Sequence, residues 1–104
     1  MDDEPAELPT SFSLLAAATI MGAIADAVGH PVGLVRHRGL AWALANPRQP
    51  RTAPQRQARA NALAWLRGAP ATLPASEACA AVGVRPERLL AVLLGEPAAA
   101  RRAA

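Results

Sequence analysis

At 104 residues the chain is long enough for one small domain and too short for two with independent cores. Hydrophobic residues make up 52% but aromatics only 3%, and much of the apolar content is alanine, which points to close-packed helices around a thin core rather than a core of large side chains. The formal net charge is +3, with 11 basic residues that are all arginine, and the lone cysteine excludes an internal disulfide and fits a reducing cytoplasm.

Residues 1–9 carry Asp2, Asp3, Glu4 and Glu7 with Pro5 and Pro9, the pattern of a disordered acidic arm. They lack the basic n-region of a secretory signal, so export is not expected and the localisation expected is cytoplasmic. Ser11 to Val28 follows as a first helix, with Thr10 or Ser11 to cap it, Gly29 to close it and Pro31 to stop it. Leu14, Leu15, Ala18, Ile20, Met21, Ile24 and Val28 cover more than one stripe, so this helix should be central. The segment FSLLAAATIMGAIADAVG (12–29) is also the one membrane candidate by length. Its alanine content, Asp26 and the missing basic flank favour a core helix, with no membrane contact.

A second helix is expected over Val32–Ala45, ended by Asn46-Pro47, with Gly39 marking either a close crossing or a break into two. NPRQPRTAP (46–54) then reads as a mobile, basic, proline-rich linker. A third helix is predicted from Gln55 to Arg67, with Ala58, Ala62, Trp65 and Leu66 on one face and Arg56, Arg59 and Arg67 beside it. Two short helices end the domain, one from about Leu73 or Pro74 to Val82, closed by Gly83, and one from Pro86 to Leu94, closed by Gly95. Residues 96–104 form a frayed tail. No alternating strand pattern occurs, so the fold expected is all-α, a single domain over 10–95 built as a bundle of four to five short helices. Trp42, Trp65 and Phe12 are its expected bulky anchors.

Chemistry-bearing constellations are few. One cysteine and two separated histidines, His30 and His37, offer no metal-ligand spacing. Asp26 and His30 stand four apart and read as a local ion pair, since no nucleophile accompanies them. No phosphate-binding glycine loop is present, and Cys79 lies on an apolar helix face as a small core residue. The chain is therefore not expected to be an enzyme, and no cofactor or metal is implied.

The stretch SEACAAVGVRPERLLAVLLG (76–95) has more to say. Cys79, with Ala78 beside it, is the small residue four positions before the turn glycine Gly83. Val82 and Val84 flank that glycine as expected buried positions, and Leu89 and Val92 face inward from the second helix. Two helices crossing steeply need a small residue at the crossing and a glycine in the turn. On these residues, 75–94 resembles the helix-turn-helix superfamily of bacterial and phage DNA-binding proteins. Residues 65–94 (Trp65, Leu66, Cys79-x-x-x-Gly83, Leu89-Leu90) are more faintly similar to small uncharacterised bacterial and phage-associated proteins, which bring no assigned activity. The outer face of the last helix is poor in groove-reading residues: only Arg85 and Arg88 could touch DNA, Glu87 opposes them, and Leu90 and Leu94 extend the apolar arc toward packing or a protein interface.

Between Asp26 and Glu77 there is no acidic residue, yet Arg36, Arg38, Arg48, Arg51, Arg56, Arg59 and Arg67 fall in that interval. Such a segment attracts a polyanion or an acidic protein surface. The function expected is that of a small helix-turn-helix-type protein acting in transcription or nucleic-acid binding, phage-derived in character, with arginine-driven contacts to duplex DNA and little base readout. The alternative is an interaction adaptor that docks an acidic partner, or a second copy of itself, through Leu90 and Leu94.

Overall fold

Eighteen residues with no proline and no charge before Asp26 fold into α1, Ser11–Val28. The computed structural model describes residues 11–95, so the expected acidic arm at 1–9 and tail at 96–104 lie outside the described residues. Those described form an all-α fold of six helices without a strand. At the end of α1, Gly29 takes φ +80°, and the Gly29 and His30 N–H groups both donate to the Ala25 carbonyl at 2.9 and 3.1 Å. This left-handed closure is what a glycine before Pro31 permits.

The expected second helix is two: α2, Val32–Arg38, and α3, Leu40–Ala45. Gly39 adopts φ +97° and ψ 157°, a conformation no L side chain tolerates well, and it separates them. Arg36, His37 and Arg38 occupy the last turn of α2, where positive charge suits the negative end of the helix dipole.

Helix α4, Ala53–Leu66, begins two residues earlier than the prolines suggest. The Thr52 hydroxyl accepts from the Gln55 N–H, and the Gln55 side-chain oxygen accepts in return from the N–H groups of Thr52 and Arg51. Pro54 falls in the first turn, where a missing N–H costs nothing. The connecting coil is fastened at two points, by the Arg48 N–H donating to the Val28 carbonyl at 2.7 Å and by His30 Nε2–H donating to the Asn46 carbonyl at 2.7 Å.

Helices α5, Ala75–Val82, and α6, Pro86–Leu93, are joined by a three-residue turn in which Gly83 has φ +78°. The Val84 N–H reaches back to the Cys79 carbonyl at 3.0 Å and closes α5.

Helix α1 lies at the centre, packed chiefly against α5 and α4 and then against α2 and α3. Ala16, Ile20, Ile24 and Val28 meet Val35, Ala43, Ala78 and Cys79 in one cluster. Ala78 and Cys79 are fully buried, and their small size lets α5 approach α1 closely. Burying each aliphatic side chain such as Ile24, Val28 or Val35 contributes roughly 1.5–3 kcal/mol. Trp42 and Trp65 pack half-buried against this cluster, and the Trp65 indole N–H donates to the Leu73 carbonyl at 2.8 Å, fixing the loop between α4 and α5.

Three packing expectations are corrected. Phe12 is not an anchor: it is exposed in the first turn of α1. Val82 and Val84 are exposed rather than buried beside Gly83, because the turn projects them away from α1. On α4, Leu63 is buried together with Ala62 and Leu66, although the arc predicted for this face did not include it.

Candidate nucleic-acid interface

Arginines dominate the polar surface. The described residues contain nine of them (Arg36, Arg38, Arg48, Arg51, Arg56, Arg59, Arg67, Arg85, Arg88) against three carboxylates, Asp26, Glu77 and Glu87. No carboxylate among the described residues pairs with any of the nine. Eight are exposed, and Arg59 is half-exposed.

Two of them are brought together by the fold. A groove of about 300 Å³ beside the end of α1 is lined by Arg48 from the coil and by Arg59 and Gln55 from α4, with Asp26 and His30 on the other wall. A second recess of about 280 Å³ is lined by the same two arginines together with Leu93 and Leu94 of α6. Arg48 and Arg59 therefore sit between the two recesses. Arg56 lies three residues before Arg59, so the two share one side of α4, and Arg51 immediately precedes the helix cap. The first turn of α4 carries no acidic residue, so the positive end of its dipole adds to the arginine field uncompensated.

The other arginines stand apart. Arg67 caps the far end of α4, about 12 Å along the axis from Arg59. Arg36 and Arg38 are on α2, and the Arg38 guanidinium lies 5.0 Å from the Trp42 ring, a cation–π contact that ties it to its own surface. Arg85 and Arg88 begin α6 with Glu87 between them. Leu94 is exposed at the end of α6, whereas Leu90 is half-covered, so they do not form one free apolar face.

The Asp26–His30 ion pair read from the sequence does not form. Both side chains line the groove, but His30 turns inward: its ring stacks 4.9 Å from Trp42, and its Nε2–H is committed to the Asn46 carbonyl. That bond places a proton on Nε2, and Nδ1 is buried without a hydrogen-bond partner. Since water does not reach Nδ1, neither does a substrate, and His30 acts as a clamp between the ends of α1 and α3. Burial pushes the Asp26 carboxyl above its ordinary range. Cys79 is fully buried, and burial first, then the charge of Glu87, raises its thiol, so it is a packing residue and not a nucleophile. Among the described residues no group of three His, Cys, Asp or Glu side chains is gathered to hold a metal.

Sequence reasoning missed the parts that Gln55 and Asn46 play. The T-x-x-Q spacing of Thr52 and Gln55 was the signal for the first, masked by Pro50 and Pro54. The second works through a backbone carbonyl and leaves no mark in the sequence. No family model matches the chain, and no curated protein or solved structure matches it either. These comparisons lend no support to the likeness of residues 75–94 to helix-turn-helix proteins.

Proposed function

We propose that this is a small nucleic-acid-binding protein of helix-turn-helix type, which holds duplex DNA by phosphate contacts and reads few bases. The observation that carries the reading is the excess of unpaired arginines, focused where Arg48 and Arg59 share the ridge between two recesses and Arg51 and Arg56 flank the uncompensated end of α4. Planar guanidinium groups suit phosphate oxygens. The paired helices α5 and α6 present Arg85 and Arg88 as the two candidate base-edge contacts, and Glu87 between them limits readout. Arg36, Arg38 and Arg67 would add outlying phosphate contacts.

The test is binding of random-sequence duplex by the native chain and by R56E/R59E. The reversal places two negative charges at the ridge and should abolish binding while the helical signal persists. Unchanged affinity would remove the proposal. A second reading, an adaptor docking an acidic partner, is favoured by the exposure of Leu94 at the edge of the arginine-lined recess. It predicts instead that Leu94→Asp, which leaves Arg48, Arg51, Arg56 and Arg59 in place, weakens partner capture while sparing duplex binding.

A further inference from the structure

The recess at the end of α6 has a lining that duplex binding does not use. Its walls are apolar: Val28 ends α1, Leu44 comes from α3, and Val92, Leu93 and Leu94 form the last turn of α6. Val28 is fully buried, whereas Leu94 is 43% exposed. Arg48 and Arg59 supply the charge of the recess, and no carboxylate among the described residues lines it, since Asp26 faces only the neighbouring groove. Apolar walls with two converging cations and no anion are complementary to a ligand that is apolar at one end and negative at the other.

Arg48 is held in place in advance. Its N–H donates to the Val28 carbonyl at 2.7 Å, and its carbonyl oxygen and Cβ lie so close to Gly29 that a methyl group there would collide with them. Arg59 stands on a regular helix, α4. Side chains carried on an anchored backbone lose less freedom on binding than those on a mobile loop. Phosphates of a duplex would engage both guanidinium groups, but they bring nothing apolar to Leu44, Val92 and Leu93.

We infer that this recess binds a small amphipathic anion, a carboxylate or phosphate on an apolar body, and that its occupation withdraws Arg48 and Arg59 from duplex DNA. The second part rests on the nucleic-acid reading, and the first does not. Two guanidinium groups can share the oxygens of one anionic group, while the valine and leucine walls remove apolar area from water. The volume sets the size of the body. An apolar cavity of about 150 Å³ admits benzene, so about 280 Å³ suits a ring with a short acidic chain, roughly ten heavy atoms. No Ser, Cys, His or carboxylate side chain among the described residues lines the recess, so the ligand is held and not transformed.

The probes are 3-phenylpropanoate and 2-phenylethyl phosphate, titrated into the full chain and followed by amide chemical shifts. Saturable shifts at Arg48, Gln49, Arg59 and Leu93 are expected, with a Kd of about a millimolar for ligands of so few atoms. Binding of either supports the site, and the tighter of the two names its headgroup. The uncharged 3-phenylpropanamide and the bodiless acetate should each bind at least about tenfold more weakly. Arg48→Gln and Arg59→Gln, both surface substitutions, should each weaken 3-phenylpropanoate by about tenfold. At about ten times its Kd, the ligand should weaken duplex binding by about tenfold beyond the effect of acetate at equal ionic strength. No saturable shift up to about 20 mM, equal binding of the amide, or unchanged binding by both arginine variants would overturn the site. Unchanged duplex affinity at that ligand concentration would overturn the coupling. Should the chain bind no duplex, the nucleic-acid reading fails while the titration alone still decides the ligand site.

Discussion

Gly29→Ala is expected to be the most informative single substitution in the fold, because it links the end of α1 to the position of Arg48. At φ +80° an alanine pays the left-handed backbone cost of roughly 1–2 kcal/mol, partly offset by about 0.4–1 kcal/mol from a less flexible unfolded chain. The same balance applies at Gly83, φ +78°, where a Cβ has open space, so Gly83→Ala should cost about 1 kcal/mol. At Gly29 the new Cβ would lie 2.9 Å from the Arg48 carbonyl oxygen and 3.3 Å from the Arg48 Cβ. The Arg48 backbone must then move, although its N–H is held to the Val28 carbonyl at 2.7 Å. Losing that bond and its local packing adds about 1–2 kcal/mol, for a total of roughly 2–3 kcal/mol. With about 4–8 °C per kcal/mol for a domain of this size, Gly83→Ala should lower Tm by roughly 5 °C and Gly29→Ala by roughly 10–20 °C. Thermal unfolding followed by circular dichroism at the helical minimum reads both. Equal shifts in the two variants would refute the reasoning, since only the Arg48 contact distinguishes them.

Thr52→Ala removes the hydroxyl that caps α4 and should cost about 1 kcal/mol in urea unfolding, whereas Thr52→Ser should cost little. Asp26 gives a pH dependence of definite sign. Its carboxyl holds a proton in the folded chain at pH values where the unfolded chain has released it, so stability falls as pH rises through the window just above the ordinary carboxylate range. Asp26→Asn should flatten that fall, and by removing a negative charge from the last turn of α1 it should stabilise the chain at neutral pH by about 0.3–1 kcal/mol. Cys79 should resist a thiol-directed alkylating reagent until the chain unfolds, and Cys79→Ser should cost roughly 1–3 kcal/mol for a buried hydroxyl. Rapid modification of the native thiol would contradict its burial.

Helix placement was legible because its signals are local. Gly29, Gly83, Pro31 and Pro86 act within a turn of themselves, and α1, α5 and α6 fall within a residue or two of their expected bounds. Gly39 carried both readings, and only the surrounding packing selected the break. The start of α4 was misjudged because prolines dominate a residue-by-residue view, while the capping box that accommodates them is a pairwise feature of Thr52 and Gln55. Burial was the least legible property. Phe12, Val82 and Val84 are as apolar as the residues that form the core, and whether they are covered depends on which helix lies opposite, which periodicity does not encode. For the candidate interface, the sequence showed which arginines lacked acidic neighbours. It did not show that Arg48, held in a coil by Val28, would stand beside Arg59 while Arg67 sat at the other end of the same helix.

The central claim, that exposed arginines hold a nucleic acid by its phosphates, is tested most directly by titrating random duplex DNA across a salt series. The logarithm of the binding constant should fall linearly with the logarithm of salt at a slope of about −0.9 per phosphate contacted, about −3.6 if Arg48, Arg51, Arg56 and Arg59 all engage, with little change between unrelated sequences. No binding at about 50 mM salt, where phosphate-driven affinity is strong, would contradict it.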